Sequence, residues 1–285
     1  MLHALRNALD GVSVVALATN IPGPLVAARL RLMGAQVVKI EPLRGDALEE
    51  SAPHWYAALT TGIEILRLDL RDEKAVRALD AHLRFADVVI SAMRAGSLLR
   101  LGFDWKTLHA KYPRLCHVAI SGEAPPHDDR AGHDLTYQAR AGTVAPPAMP
   151  RALVGDMAAA ERAVAAAVTA LYVRDRTSEA TRVDVSIVDA ATDFAAPFRY
   201  GLTTPSGALG GALPTYRMYE AKDGYIALAA LEPHFVERLA SMLGTAHADA
   251  STLAQAFAQR SANEWERLAE SYDLPLAAVR DEVTP

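Results

Sequence analysis

A chain of 285 residues, 51% hydrophobic and 22% charged, holds enough apolar material for one large or two modest globular domains. A net charge of −5 and a pI near 6.0 argue against a nucleic-acid-binding surface, although a local basic pocket is compatible with both. One cysteine, Cys116, excludes an intramolecular disulfide framework, and no apolar run reaches the roughly 18 residues a membrane span needs. Met1 to Asp10 lack a cationic start followed by an apolar run, so no signal peptide is expected and the cytoplasm is the expected location.

In chain order, Val12 to Leu17 reads as a short apolar strand, and Asn20-Ile21-Pro22-Gly23-Pro24 as a turn. Leu25 to Met33 has helical spacing, with Gly34 where a C-terminal cap glycine belongs. Gln36 to Ile40 closes a βαβ unit and predicts a parallel sheet. Helices over 72–83 and 104–111 alternate with strands over 86–91 and 114–121, the last holding Cys116 as a small core residue. The first turn has a single glycine and lacks the Gly-x-Gly-x-x-Gly spacing of a dinucleotide site.

Gly122 to Pro150, with five prolines, reads as a long irregular segment of the kind that often carries function. An Ala-rich helix over 157–174 and an alternating strand over 182–188 follow. Tyr216–Ala221 and Tyr225–Ala230 flank Lys222-Asp223-Gly224 as a hairpin, and helices are predicted over 233–243, 251–259 and 262–271.

Asp156 stands near the start of the Ala-rich helix, where free amides and the helix dipole favour a carboxylate able to act as nucleophile or base. An aspartate there is equally a helix N-cap. His133 lies in a glycine-containing loop, and an imidazole titrating near about 6.5 suits proton transfer. Glu232 ends a strand just before Pro233, facing a cleft or complementing a helix dipole. His127, Asp128, Asp129, His133 and Asp134 cluster without a recognised metal-ligand spacing, so a hydrated polar loop is the expectation.

Taken together, these positions resemble family III coenzyme A transferases and their relatives, the α-methylacyl-CoA racemases. The resemblance runs through Leu9-Asp10-Gly11-Val12, Pro22-Gly23-Pro24 and Leu32 to Pro42, the last similar to the family's "lGAdVikvEp" stretch. Ala86-Asp87-Val88-Val89, Arg94-x-Gly96 and Leu101-Gly102-Phe103 resemble its "advlienfRpg...lGl" segment. Ile120-Ser121-Gly122, Gly132-His133-Asp134, Gly155-Asp156 and Leu231-Glu232-Pro233 follow in family order. The departures lie in the "NrgK" segment, here Leu59-Thr60-Thr61-Gly62-Ile63 without its cations, and in the Gly-rich run, here Ser121 to Pro126. Relatives also continue for several tens of residues beyond Val279.

The resemblance implies an α/β fold with a Rossmann-like large domain over residues 1–185, a smaller α+β domain over 186–285, and an interlocked homodimer. It implies an acyl-CoA substrate, with coenzyme A as part of that substrate rather than a permanently bound cofactor. In the racemases, the residues matching Asp156 and His133 exchange the substrate α-proton on opposite faces, and the glutamate matching Glu232 orients the histidine. In the transferases, the aspartate matching Asp156 attacks the thioester and forms a mixed anhydride. The retained Gly-His-Asp form favours racemase-type transfer, with CoA transfer and a non-catalytic binding module as alternatives. Arg94 and Lys39 are the cations expected near the CoA phosphates, and Ile21 and Pro22 are assigned to the coenzyme as well.

Overall fold

The computed structural model describes residues 6–245 and 249–280, and the chain divides into two compact units after Ala195. The first unit runs β1 (Ser13–Leu17), α1 (Pro22–Leu32), β2 (Gln36–Glu41), α2 (Ala47–Ser51), α3 (Pro53–Thr60), β3 (Glu64–Arg67) and α4 (Glu73–Leu83). It continues with β4 (Val88–Ser91), α5 (Ala95–Leu101), α6 (Trp105–Lys111), β5 (Cys116–Ser121), α7 (Asp134–Ala141), α8 (Val154–Thr177), β6 (Arg182–Ser186) and α9 (Ile187–Phe194).

The six strands form one parallel sheet in the order β3-β2-β1-β4-β5-β6. Both faces are covered, which explains why the strands read as near-continuous apolar runs. Val14 and Ala16 of β1 face one core with Val88, Ile90, Cys116, Val118 and Ile120. Val15, Leu17 and Val89 face the other, beneath Leu79, Leu83, Leu98 and Leu108. Alanines 159, 160, 163 and 167 of α8 are wholly buried, so this helix can lie close against the sheet. The winding reverses between β1 and β4, and such a reversal opens a crevice at the carboxyl ends of the strands.

Three sequence expectations shift. The boundary falls after Ala195 rather than 185, because Ser186 still pairs with Ser121, and Ala191 and Ala195 of the α9 region are buried with Ala141. The segment 122–150 contains α7, whose glycine and proline surroundings masked its short apolar pattern. The Ala-rich helix begins at Val154, so Asp156 is the third residue of α8, and Leu153 takes the N-cap position without a side-chain bond.

The second unit contains α10 (Ala196–Arg199), a π-helical turn over Ala208–Ala212, and the hairpin β7 (Tyr216–Ala221) and β8 (Gly224–Ala229). It ends with α11 (Pro233–Leu243), α12 (Ala250–Phe257), α13 (Ala262–Ser271) and β9 (Leu276–Ala278), which pairs antiparallel with the outer side of β8. Ile226, Leu228, Leu239, Leu253, Phe257 and Trp265 fill its core. The α+β character expected of this region is what the structure has.

Candidate active site

Two adjoining clefts open at the switch point of the parallel sheet. The smaller, about 300 Å³, is walled by Thr19, Asn20 and Pro22 after β1, Ala92 to Arg94 after β4, and Ser121 and Gly122 after β5. Asp128, Arg130, Gly132, His133, Tyr137, Asp156 and Ile187 complete it. Asp156 and His133, far apart in sequence, therefore line one space.

Asp156 is buried, and its carboxyl is pushed up to about 7, first by burial and then by the charge of Asp134. Its main-chain N–H donates to Asp134 Oδ1 at 2.9 Å. Asp134 is itself buried and accepts from the Gln138 side-chain amide, which also reaches the Ala152 carbonyl at 2.8 Å. His133 holds the backbone N-cap position of α7, where its N–H donates to Thr136 Oγ1 at 3.1 Å, and its side chain is exposed to the cleft.

Tyr137 is buried beside them, and its phenol is raised by burial and then by the Asp156 charge. Its ring fits only because two neighbours lack side chains. A Cβ on Gly122 would stand 2.1 Å from the phenol oxygen, and one on Gly132 would stand 2.4 Å from the ring. Glu123, within the altered Gly-rich run, ion-pairs with Arg130 at 3.2 Å and also with Arg140, which ties that loop to α7.

Arg94 lines the smaller cleft and makes no ion pair among the described residues. Pro22 lines it too, whereas Ile21 packs into the core beneath. Glu232 belongs to the second unit, where it is exposed and caps α11 through its carbonyl, which accepts from Phe235 N–H at 2.9 Å. Among the described residues, no three His, Cys, Asp or Glu side chains are placed to share a metal ion.

The larger cleft, about 840 Å³, lies over the ends of β1, β2 and β3 and shares Thr19 and Met93 with the smaller one. Arg44, Arg71 and Arg100 line it, each from a different loop or helix. Asp69 holds Arg71 through two 2.8 Å bonds, and Arg100 reaches Ser97 Oγ at 2.9 Å. None of the three was recognised from the sequence, because only the fold brings them to one wall.

Lys39 is not at either cleft, which corrects its assignment to the CoA phosphates. Its side chain is wholly buried, with Nζ 2.7 Å from Glu41 and 2.6 Å from Asp46 and lying over the Tyr56 ring. Asp46 also accepts from the Asn20 N–H at 2.9 Å, and Tyr56 donates to Glu41 at 2.8 Å. With its ammonium buried between Glu41 and Asp46, Lys39 braces the loops of both clefts instead of meeting a ligand.

The doubly wound sheet, the switch-point clefts and the buried, readily protonated carboxylate define an α/β enzyme scaffold. The sequence model of CoA-transferase family III matches residues 9–283, and the chain belongs to that family. It is 27% identical to the cinnamoyl-CoA:phenyllactate CoA-transferase of Clostridium sporogenes, over 96% of this chain and 78% of that one. It is 30% identical to the succinyl-CoA–D-citramalate CoA-transferase of Chloroflexus aurantiacus, over 64% of this chain and 49% of the relative. With human α-methylacyl-CoA racemase it shares 29% identity over 83% of this chain and 65% of the racemase. The chain thus spans between about half and four fifths of these relatives' lengths. Among solved structures, a hypothetical protein of Mycobacterium tuberculosis superposes with a TM-score of 0.83 at 24% identity, covering 96% of this chain and 84% of that one. A CAIB/BAIF family protein of Brucella suis gives 0.81 at 24%, with the same coverage. These two likenesses speak for the fold. No helix among the described residues is long and apolar enough to cross a membrane.

Proposed function

We propose that the chain is an acyl-CoA racemase or epimerase that moves the α-proton of a 2-methylacyl-CoA-like thioester between Asp156 and His133. The observation that carries this reading is a carboxyl raised to about 7 in the same cleft as an exposed histidine. A group half ionised near neutrality serves as base in one direction and as acid in the other. Ionised Asp156 takes the α-proton and leaves an enolate of the thioester. Protonated His133 then delivers a proton to the opposite face of the same carbon, and the reverse sequence runs with the roles exchanged. The larger cleft suits the nucleotide end of the coenzyme, with Arg44 and Arg100 available to its phosphates and Arg71 beside them paired with Asp69.

The same reading takes coenzyme A as part of the substrate and sets the protein in the cytoplasm as a homodimer. Phe198, Tyr200 and Leu202, exposed by 46%, 90% and 44% near the start of the second unit, support burial against a second copy.

The test is α-hydrogen exchange of 2-methylacyl-CoA in D2O. Wild type exchanges the α-hydrogen of both epimers, Asp156→Ala loses by about a thousandfold or more the exchange of the epimer whose hydrogen faces Asp156, and His133→Ala loses that of the other epimer. Absence of exchange across a broad acyl-CoA panel removes the reading.

A second reading, CoA transfer, rests on Asp156 together with the unpaired Arg94 in a largely polar cleft, which suits a carboxylate co-substrate. Asp156 attacks the thioester carbonyl, CoA leaves as thiolate, and a mixed anhydride remains. Hydroxylamine trapping of an acyl group at Asp156 supports this route, and transfer that survives Asp156→Ala rejects it.

A further inference from the structure

We propose that Asn20, at the seam between the two clefts, is a specificity-determining residue whose side-chain amide hydrogen-bonds the substrate's pantetheine arm at the amide next to the thioester. The inference rests on the reading of the chain as an acyl-CoA enzyme, with the nucleotide in the larger cleft and the thioester beside Asp156 and His133.

The backbone singles this residue out. Asn20 has φ +69°, in the left-handed region that glycine enters freely and other residues enter at a cost. Among the described residues, two other non-glycine residues share a positive φ, Ser178 and Asp273. Ser178 caps the end of α8 and Asp273 follows the cap of α13, where left-handed residues are the ordinary way to close a helix. Asn20 closes no helix. It stands between β1 and α1, just before the Ile21 N-cap. Its N–H donates to Asp46 Oδ1 at 2.9 Å. The same oxygen accepts from the Leu48 N–H at 3.0 Å, and Oδ2 accepts from Lys39 Nζ at 2.6 Å. Asp46 and Lys39 are both buried, so the turn is anchored to a charged interior that has little freedom to shift.

The side chain gives the strain a purpose. A turn that needed only a positive φ would be served most cheaply by glycine. Asn20 instead presents an amide to the smaller cleft, where it is exposed. Neither that amide nor the hydroxyl of neighbouring Thr19 makes a hydrogen bond among the described residues. Thr19 and Met93 line both clefts, so a ligand reaching from Arg44 and Arg100 to Asp156 crosses beside Asn20.

The chemistry of such a ligand fits the group found there. The arm that joins the nucleotide of coenzyme A to its sulfur is uncharged and carries two secondary amides, each with one donor and one acceptor. A primary amide offers both a donor and an acceptor, so it can pair with a secondary amide. A charged side chain at this point would lose water to the arm and gain no counter-charge. Asn20 lines the cleft of the reacting groups, which selects the amide nearer the sulfur. Held on a rigid turn, it works as a ruler that sets how far the thioester advances toward Asp156.

Asn20→Gly tests this directly, because glycine keeps the left-handed turn and deletes only the amide. Its melting temperature should stay within about 3 °C of wild type. By calorimetry on the full chain, CoA should bind about three- to tenfold more weakly, the loss of one neutral hydrogen bond. Adenosine 3′,5′-bisphosphate, which lacks the arm, should bind unchanged. In α-hydrogen exchange, kcat/KM for an N-acetylcysteamine thioester should fall by a similar factor, chiefly through KM, while the S-ethyl thioester of the same acid is unaffected. Asn20→Ala repeats the comparison should the glycine variant fail to fold. Unchanged CoA affinity in a folded variant overturns the proposal, as does an equal loss with the bisphosphate or the S-ethyl thioester. Wild type that binds no CoA overturns it together with the acyl-CoA reading. Weakened CoA binding without any α-hydrogen exchange supports it and rejects racemisation separately.

Discussion

His117 and Asp156 are both buried titratable side chains, and burial drives each toward its neutral form with opposite consequences for stability. His117 is lowered from 6.5 to about 4, mainly by burial and then by Arg182, and it meets Ser91 Oγ at 2.8 Å. The unfolded chain therefore binds a proton between these values that the fold refuses. Its contribution is complete above pH 6.5 and is lost as pH falls toward about 4, amounting to about 3 kcal/mol. Urea midpoints should drop steeply between pH 6.5 and 4.5, and His117→Leu should flatten that dependence. A wild-type profile that is flat across this window rejects the assignment. Residue identity alone could nominate Asp156 and His133, because their motifs are local. It misplaced Lys39, since a strand covered on both faces carries no pattern to say which way a polar side chain turns.

Among the elements, α7 shows how much of the site lies in contacts absent from any periodicity. Its Tyr137 occupies a slot between Gly122 and Gly132, whose recurrence in the motifs has a steric cause. Gly122→Ala should cost about 1–3 kcal/mol by chemical denaturation, because ring or backbone has to move. In a Tyr137→Ala background the same substitution should cost much less, and equal costs in both backgrounds would reject the coupling. The strands and flanking helices of the first unit were legible from alternation and caps. The short α2, α3, β3 and α5 were not, and neither was α9, whose segment falls in the second unit on the sequence reading because its strand-to-helix join has no linker composition.

For the whole molecule, the α/β class and the small α+β unit followed from the order of the elements. Strand order and the meeting of Arg44, Arg71 and Arg100 did not, since both are set by how the chain crosses over the sheet. Phe198, Tyr200 and Leu202 are exposed, and the proposed homodimer rests on them. Sedimentation of the full chain should report twice the 30.6 kDa chain mass, and Tyr200→Asp should weaken that association. A monomer at micromolar concentration would remove the homodimer from the functional reading.

The bracing of Lys39 by Glu41 and Asp46 limits how this protein can evolve. Losing the lysine alone would leave buried Asp46 without a cation among the described residues and Glu41 with only Arg67, 3.4 Å away, at a cost of about 3–5 kcal/mol. Losing Asp46 alone would leave the lysine short of one partner and free the turn at Asn20. Neutral drift through these positions is therefore closed to single steps, so lineages that change one of the set should be found to have changed the others with it.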